Sequence, residues 1–538
     1  MANNVNNLLS QSENFKEEYC AQVVKVGKPE PVENSDNLVK VTVGGGYQVV
    51  VGKNDVKEGE VMVYAKLETA INEKFLSVNN QFELGERQRN SNYEEVQALI
   101  DAGKEDEAKR MVGYFNKHGR VRIVKLRGCV SEGVLFTIES IAKWHPEILQ
   151  YDFEQCFQYT EDGQLIPFNF DTIGKDLFLK VYMPPQPQER IHVNGRARKN
   201  RKYDARILKL DRMVEGQYAR HYDTNKLEDS MFRIKPDTIV TITLKQHGTS
   251  EIIGNLLVKR SLAGPATELN RKRLRKRYKG ALKLPTRYYW QRKVKKNKLN
   301  KLAEEIKGPY KLEYGNVTSS RNKIKNQYID PDQSKSFYPT DVHSIFGRLA
   351  YPLLKPGMTL YGEICGYIPG TNTGVQVKPK VFDYGCEPGH GYLMPYRITE
   401  TDPDGNKKEW ELMDVYNWTL EQLKFDWTQD WLKPIVILYH GTLSDLYPNI
   451  DKDHHWQANV LQAMKNDQEH FGMELNEPLC KNKVPREGIV LRIDNDPRPE
   501  AWKLKCEEFR IKVDDKVFSS STPDMESAEA YGTENNTL

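Results

Sequence analysis

An alternation of apolar and polar residues over residues 18–138 constrains the fold of this chain more than any other feature. Residues 39–43 alternate, a glycine turn follows at 44–46, and residues 47–51 form a second apolar segment before a third at 61–64. Successive side chains of a strand point to opposite faces, so this pattern is typical of half-buried β-strands joined by turns. The region is therefore predicted to form a small antiparallel barrel.

A helical pattern interrupts these strands at residues 91–111. Its apolar positions recur at helical spacing among charges and are Val96, Leu99, Ile100, Ala108 and Met111. Because the strand pattern resumes at residues 120–127, we interpret the helix as an insertion. Small barrels of this kind often carry an oligonucleotide on one face, although a fold alone proves no function.

A proline-rich and basic stretch at residues 184–211 divides the chain and has the composition of a linker or mobile arm. With 538 residues the chain exceeds the size at which a single core stops growing, so several domains are expected. We expect an N-terminal domain at residues 1–183 and a second domain at 212–515. The remaining residues, 516–538, are rich in Ser, Thr, Asp, Glu and Asn and are predicted to be a disordered acidic tail.

The second domain mixes strand and helix patterns. Strand-like segments lie at residues 238–244, 359–365, 391–398, 488–493 and 502–505. Helical patterns lie at residues 420–432 and 455–470. This mixture predicts an α+β fold.

A basic insertion near residues 262–310 stands out by its charge. Between Arg271 and Lys301 there are fifteen lysines or arginines and no acidic residue, and four aromatic residues are interleaved with them. Such cations neutralise phosphates and aromatic rings stack on bases, so the segment is a candidate nucleic-acid interface. The alternative is a solvated basic insertion without a specific partner.

The composition of the chain argues against a membrane protein and against a secreted protein. Hydrophobic residues make up 38% of the chain, and no apolar run approaches the roughly 18 residues of a spanning helix. The Asn-rich start has neither the basic nor the apolar part of a secretory signal. The seven cysteines contain no C-x-x-C pair and no pattern of a disulfide framework. We expect a cytoplasmic protein with reduced thiols, without membrane contact and without an obligate protein partner.

Lys245 is the candidate nucleophile. The apolar run at residues 239–244 predicts a buried strand that delivers Lys245 to the turn His247-Gly248-Thr249, where glycine lets a ligand approach closely. A lysine attacks only as a neutral amine, and because its reference pKa is about 10.4 the site needs desolvation or nearby positive charge. Taken alone, Lys-x-His-Gly also fits an ordinary lysine at the end of a strand.

Three further motifs place charged side chains on strands, and two of them set a glutamate beside glycine. They are Tyr361-Gly-Glu-Ile-Cys-Gly366, Arg486-Glu-Gly-Ile-Val-Leu-Arg492 and Trp502-Lys-Leu-Lys505. Residues i and i+2 of a strand share a face, so Lys503 and Lys505 are expected on the same side. Ordinary explanations also exist: Glu363 and Glu487 fit solvated strand residues, and the two lysines fit an edge strand protected against aggregation.

In this order, the four motifs together resemble those of the covalent nucleotidyltransferase superfamily of ligases and capping enzymes. His247 stands where DNA ligases and capping enzymes typically carry Asp, and in this the chain resembles the nick-sealing RNA ligases. The motifs Lys125-Leu-Arg-Gly128 and Ser131-Glu-Gly133 are similar to the end of the OB module that some members place before the catalytic domain. The resemblance implies an N-terminal OB-type β-barrel followed by an adenylyltransferase (ATP-grasp-like ligase) domain of antiparallel sheets and helices.

The resemblance also implies the catalytic side chains. Lys245 would form the lysyl-AMP adduct, and His247 would assist the transfer of AMP to an RNA 5′-phosphate. Lys503 and Lys505 would hold the nucleotide phosphates and stabilise charge on the departing pyrophosphate. A core histidine bonded to a backbone carbonyl is the alternative reading of His247.

Nucleotide-binding side chains follow from the same resemblance. Arg321, in Thr318-Ser-Ser-Arg321, would contact nucleotide or RNA phosphates, and Glu363 would bind the ribose. Tyr396, in Met394-Pro-Tyr-Arg-Ile398, would stack on adenine. Tyr392 and Phe382 compete with Tyr396 for that role.

The implied reaction joins an RNA 3′-hydroxyl to a 5′-phosphate through lysyl-AMP and RNA-adenylate. ATP and Mg²⁺, or Mn²⁺ in its place, would be the cofactors, and Glu487 would bind the metal because hard carboxylate oxygens suit it. The partners would be nicked duplex RNA or paired RNA ends, with RNA–DNA hybrids as a further substrate.

Two alternatives remain open at this point. A DNA ligase or a capping-type guanylyltransferase would use the same lysine, but such enzymes usually carry an OB module after the catalytic domain, whereas about thirty residues follow Lys505 here. A non-catalytic nucleic-acid-binding protein on a degenerate ligase fold is the second alternative. Against it, the charged positions of all four motifs hold chemically competent residues.

Overall fold

The computed structural model describes residues 8–161, 163–183, 212–221, 224–262, 309–321, 324–325, 341–376, 380–425, 430–453, 455–473, 475–495 and 498–515, together with positions 276, 293, 294 and 297. The predicted linker, the acidic tail and nearly all of the basic insertion lie outside the described residues, so their roles stay predictions. In the part of the chain that is described, no helix is both long and apolar enough to cross a bilayer.

The N-terminal region, residues 8–183, consists mainly of short strands. They are β1 (Leu9–Ser10), β2 (Ala21–Lys25), β3 (Glu30–Pro31), β4 (Leu38–Val43), β5 (Tyr47–Gly52), β6 (Val61–Lys66), β7 (Thr69–Ile71), β8 (Val124–Leu126), β9 (Cys129–Ser131), β10 (Gly133–Thr137), β11 (Gln158–Tyr159), β12 (Leu165–Ile166), β13 (Phe168–Phe170), β14 (Thr172–Ile173), β15 (Asp176–Leu177) and β16 (Leu179–Val181). Its helices are α1 (Glu73–Val78), α2 (Tyr93–Asp101), α3 (Glu105–Arg110) and α4 (Ile138–Ala142).

Strands of this region alternate as their sequence predicts. In β4, Val39, Val41 and Val43 are buried, while Thr42 is exposed. The largest N-terminal sheet has the order β10-β6-β2-β13, and β3-β4-β5 form a second one. Among the described residues the N-terminal pairings leave separate sheets of two to four strands, and no ring of strands closes. The OB-type barrel is therefore not confirmed.

The second region, residues 212–515, carries longer strands. They are β17 (Arg212–Met213), β18 (Asn225–Lys226), β19 (Ile239–Lys245), β20 (Thr249–Ser261), β21 (Tyr310–Ser320), β22 (Met358–Gly366), β23 (Gly391–Thr401), β24 (Lys407–Glu409), β25 (Ile437–Thr442), β26 (Gly488–Ile493) and β27 (Glu500–Lys505). Its helices are α5 (Leu227–Ser230), α6 (Val342–Ala350), α7 (Leu412–Phe425), α8 (Leu443–Leu446), α9 (Trp456–Asn466) and α10 (Glu507–Phe509).

Two sheets organise this second region. One has the order β17-β20-β22-β23-β24, with β21 also paired to β20, and the other has the order β18-β27-β26-β19-β25. The chain leaves the second sheet at Lys245 and enters the first at Thr249, so residues 246–248 connect them. Helices and sheets that are antiparallel except for the β18–β27 pair agree with the predicted α+β class. The connection between the sheets begins directly after the candidate nucleophile, Lys245.

The predicted helix at 420–432 is displaced in the structure. Helix α7 begins at Leu412 because the apolar residues of its first turns, Leu412, Val415 and Trp418, pack into the core. Leu432 instead forms a bridge to Leu393 of β23. The apolar spacing near 430 therefore reflects packing against a sheet edge, which local periodicity does not distinguish from a helix.

Candidate active site

Lys245 lies in a row of residues that runs across three strands. It is paired with Gly488 of β26, and Gly488 is paired in turn with Lys505 of β27. Gly488 has a φ of +143°, and a Cβ there would lie 2.1 Å from the Leu504 carbonyl oxygen. Only glycine fits this backbone, and its missing side chain lets the backbone of β27 approach closely.

Glu487, the residue before β26, connects the charged side chains of this row. Its side chain is 4% exposed, and Oε1 lies 2.9 Å from Lys245 Nζ and 3.6 Å from Lys505 Nζ. Its Oε2 lies 3.6 Å from His247 Nδ1. Burial alone would raise the pKa of Glu487, but Lys245, His247 and Lys505 together hold that pKa well below its usual range. Glu487 is thus a buried carboxylate in its charged form.

The electrostatics of Lys245 follow from the same contacts. Burial and the charge of Lys505 lower the pKa of Lys245, but Glu487 and Glu363 outweigh them and leave the pKa above its ordinary value. Without nucleotide, Lys245 is therefore an ammonium held by Glu487. The neutral amine that nucleophilic attack needs must be produced once further cations enter the site.

Each residue of the turn after Lys245, from Gln246 to Gly248, forms a hydrogen bond with a neighbouring side chain. Tyr392 Oη donates to Gln246 Oε1 at 3.2 Å, and the backbone N–H of His247 donates to Tyr384 Oη at 2.6 Å. The backbone N–H of Gly248 donates to Glu363 Oε1 at 3.0 Å. These bonds fix the turn before any ligand arrives, which is the preorganisation that a nucleophile requires.

Glu363 is brought close to the nucleophile by this turn. Ser250 of β20 is paired with Glu363 of β22. A Cβ at Gly248 would lie 2.2 Å from the Ile364 carbonyl oxygen, so glycine is needed for β22 to approach. The structure therefore brings Glu363 beside the Lys245 turn, although its predicted contact with a ribose stays a prediction.

His247 lies between two aromatic rings and one carboxylate. Its ring centroid is 4.8 Å from that of Phe382 and 5.0 Å from that of Phe509, both in edge-on geometry. Among the described residues its side-chain partner is Glu487, and no backbone carbonyl accepts a hydrogen bond from the ring. This geometry differs from the core histidine considered as the alternative.

Three aromatic residues compete for the predicted adenine-stacking role. Phe382 is 1% exposed and packs on His247, and Tyr392 is 2% exposed beneath Lys433. Tyr396 is only partly buried, with its Oη 3.4 Å from Ser250 Oγ. Because a stacking face must be open to a ligand, the burial pattern favours Tyr396.

Lys503 and Lys505 have different partners. Lys505 Nζ lies 2.9 Å from Asp514 Oδ2, and this contact together with Glu487 raises the pKa of Lys505 although burial opposes it. Lys503 Nζ lies 2.8 Å from Glu18 Oε1. Burial lowers the pKa of Lys503, and Glu18 offsets only part of that effect. The two lysines share a face of β27, but the structure pairs Lys503 with the N-terminal region.

Arg321 directly follows β21, whose last residue, Ser320, is paired with Glu251 of β20. Its side chain is partly buried. Sequence reasoning did not single out Glu18, Asp514 or Tyr384. Glu18 and Tyr384 reach the site through contacts between distant parts of the chain, and Asp514 reaches Lys505 from beyond the end of β27, so no strand pattern marks them.

No family model matches the sequence, and no curated protein matches it. The chain is similar to the Naegleria gruberi RNA ligase with pyrophosphate at 14% identity and a TM-score of 0.45, over 93% of this chain and 100% of that one. A mutant of that ligase with ATP and Mn gives 13% identity and a TM-score of 0.44, over 92% of this chain and 99% of that one. The chain is thus similar over most of its length to solved RNA ligase structures, at scores so low that its own residues must carry any assignment of activity.

Proposed function

We propose that this chain is an ATP-dependent RNA ligase that joins 3′-hydroxyl and 5′-phosphate ends through lysyl-AMP and RNA-adenylate. The observation that carries the proposal is the contact of Glu487 Oε1 with Lys245 Nζ at 2.9 Å and with Lys505 Nζ at 3.6 Å, beside Gly488. A partly buried lysine, a buried charged carboxylate and a second cation beside one glycine suit attack on a phosphate.

The first step uses Lys245 as nucleophile. Its neutral Nζ attacks the α-phosphorus of ATP, a P–N bond forms, and the bond to the bridging oxygen breaks to release pyrophosphate. Lys505, Lys503 and Arg321 stabilise negative charge on the phosphates during this step. The proton that Lys245 must lose is held in the free enzyme by its ion pair with Glu487. Charge neutralisation at Glu487 therefore favours the reactive amine.

Glu363 and Tyr396 bind the nucleoside in this proposal. Glu363 accepts from the Gly248 N–H and lies against the turn that carries the nucleophile, which suits a contact with ribose hydroxyls. Tyr396, which is only partly buried, would stack on adenine. His247, next to Glu487, acts in the later transfer of AMP to the RNA 5′-phosphate.

A divalent cation fits Glu487. Its Oε2 is buried and accepts no hydrogen bond from the described residues, so one hard oxygen is left for a metal. No three His, Cys, Asp or Glu side chains of the described chain gather into a metal cage. This donor set suits Mg²⁺ or Mn²⁺, which are often held by one carboxylate together with substrate phosphates. When bound, such a cation supplies charge stabilisation at the phosphates.

The RNA specificity rests on the resemblance drawn from the sequence. His247 in place of Asp is the feature that favours RNA ligases over DNA ligases and capping enzymes. The predicted OB-type module before the catalytic domain would add to it, but the described N-terminal strands close no barrel. We propose nicked duplex RNA or paired RNA ends as the substrate, RNA–DNA hybrids as a further one, and the cytoplasm as the compartment. The N-terminal region and the basic insertion would bind the RNA backbone.

The test is covalent labelling. The protein is incubated with α-labelled ATP or GTP and Mg²⁺, and a band that survives denaturation is expected from ATP only. Lys245→Ala should remove the band, whereas Lys235→Ala, which changes an exposed lysine upstream of the same strand, should keep it. A label from GTP alone, or an adduct that persists in Lys245→Ala, would refute the proposal. Sealing of nicked RNA, RNA–DNA and DNA duplexes then tests the substrate.

A further inference from the structure

Glu18 reaches from the N-terminal region into the lysine cluster of β18 and β27. Its carboxylate Oε1 lies 2.8 Å from Lys503 Nζ, and its side chain is 9% exposed. Its backbone carbonyl accepts a hydrogen bond from Lys226 Nζ at 3.3 Å. A single residue that precedes the first long strand thus contacts two lysines of the second region.

The lysines around Glu18 form a cationic cluster, which consists of Lys226, Lys503 and Lys505. Lys226 and Lys503 are paired across β18 and β27, and Lys505 follows two positions later on the same face. Burial would raise the pKa of Glu18, but these three lysines bring that pKa below its ordinary value. The cluster therefore holds Glu18 as an anion.

Lys503 and Lys505 pair with carboxylates from different regions of the chain. Lys505 has Asp514 and Glu487, both from the region to which it belongs. Among the described residues, Glu18 is the carboxylate that pairs with Lys503. If Lys503 binds a phosphate of ATP, that phosphate and the Glu18 carboxylate need the same ammonium, and two anions in one buried place repel each other.

The backbone around Glu18 is anchored separately. Lys66 Nζ donates to the Glu17 carbonyl at 2.7 Å, and Lys66 also forms a buried ion pair of 2.8 Å with Asp229. The backbone N–H of Lys66 donates to the Cys20 carbonyl at 3.2 Å. These contacts hold the segment without using Lys503, so the Glu18 side chain can leave Lys503 while its backbone stays in place.

We propose that Glu18 is an autoinhibitory anion that occupies Lys503 in the free enzyme and is displaced by a phosphate of the incoming nucleotide. This inference rests on the proposed function. It makes the N-terminal region part of the nucleotide site: ATP must compete with Glu18. A ligand whose binding-competent state is only partly populated binds with an affinity reduced by that fraction.

The experiment compares Glu18→Gln with Glu17→Gln, a matched control that removes the neighbouring carboxylate. Glu17 lies 4.0 Å from Arg233 and has no contact with Lys503 among the described residues. The ATP concentration for half-maximal lysyl-AMP formation should fall about tenfold in Glu18→Gln, with the maximal rate within about twofold of the wild type. Glu17→Gln should leave both quantities unchanged. Glu18→Asp keeps the charge, so its half-maximal ATP concentration should lie between those of the wild type and Glu18→Gln.

A second readout needs no catalysis. Inorganic pyrophosphate should raise the thermal midpoint of Glu18→Gln more than that of the wild type, because the variant offers an unoccupied Lys503. If wild-type protein forms no adduct, the proposed function fails, and this binding measurement still tests Glu18. A half-maximal ATP concentration that stays constant or rises in Glu18→Gln would overturn the inference, as would equal stabilisation of both proteins by pyrophosphate. If Glu18→Gln does not fold, Glu18→Asp decides by the same criteria.

Discussion

Gly488 illustrates how strongly the site depends on one missing side chain. It separates Lys245 from Lys505 in the row across the sheet, and its φ of +143° lies where other residues are strained. A Cβ would also meet the Leu504 carbonyl of the neighbouring strand at 2.1 Å. A substitution therefore has to move β27, which carries both lysines of the predicted phosphate site.

Gly488→Ala should consequently destabilise the protein and reduce lysyl-AMP formation. We expect a loss of about 2 kcal/mol or more in the free energy of unfolding, since backbone strain of this kind costs roughly 1–3 kcal/mol and the contact adds to it. Urea unfolding and the labelling assay measure the two effects. The control is Gly59→Ala, where φ is +77° but no atom lies within 4 Å of the added Cβ. Equal behaviour of the two variants would contradict this account.

Among the elements, the turn that follows helix α10 connects the two regions. Arg510, in the π-helical turn Arg510–Asp514, pairs with Glu132 of the N-terminal region and lies 2.6 Å from Glu228 of α5. Burial would raise the pKa of Glu228, but Arg510 and Lys465 lower it to about 2. The same turn supplies Asp514 to Lys505. The position of Lys505 is therefore tied to the interface with the N-terminal region.

Arg510→Ala should remove this connection and strongly reduce the free energy of unfolding. It leaves two buried carboxylates without their guanidinium, and breaking a buried pair typically costs about 3–5 kcal/mol. Lys512→Ala changes the same turn, but Lys512 is 56% exposed in its pair with Glu508, and such a pair contributes about 0.5 kcal/mol. Urea unfolding should show a large loss of stability in Arg510→Ala and a small one in Lys512→Ala. A small loss in Arg510→Ala would mean that Lys465 alone satisfies the two carboxylates.

At the scale of the whole molecule, the two regions meet through buried charges. Lys66 and Asp229 form an ion pair at 0% and 1% exposure, and Arg120 lies 2.9 Å from Glu68 and 3.2 Å from Asp515. Burial raises the pKa of Glu68 to about 7, with Asp514 and Asp515 adding to it and Arg120 opposing it. The interface thus contains a carboxylate that titrates near neutral pH.

This titration predicts a pH dependence of stability. The folded pKa of Glu68 lies above the reference value of 4.5, so its contribution is complete below pH 4.5 and is lost as the pH rises through about 7. Glu68→Gln should be more stable than the wild type at pH 8 by up to about 3 kcal/mol, and the difference should vanish near pH 4.5. Glu58→Gln, at an exposed turn, is the control. A constant difference across this range would contradict the assignment.

The basic insertion gives the second prediction for the whole molecule. Deletion of residues 271–301 should spare lysyl-AMP formation but weaken RNA binding, because it removes fifteen cations and no motif residue. The slope of the logarithm of the binding constant against the logarithm of salt concentration should become shallower. Unchanged RNA binding would instead support the alternative, a solvated basic insertion without a specific partner.

Local patterns in the sequence predicted many of the strands and revealed the order of the four motifs, but they did not predict β20, β21 or β25. Alternation predicted β4, an apolar run predicted the strand that ends at Lys245, and the i, i+2 rule placed Lys503 with Lys505, because these patterns depend only on local backbone geometry. The helix at 420–432 was misplaced, since apolar spacing does not distinguish a helix from a segment packed against a sheet.

Which charged side chains contact one another depends on the tertiary structure. Sheet register brings Lys245, Gly488 and Lys505 into one row, although more than 240 positions separate the first two. The packing of the two regions brings Glu18 to Lys503 and Arg510 to Glu132. Such contacts depend on how sheets stack and on how buried charges are balanced, which no local pattern of residues encodes.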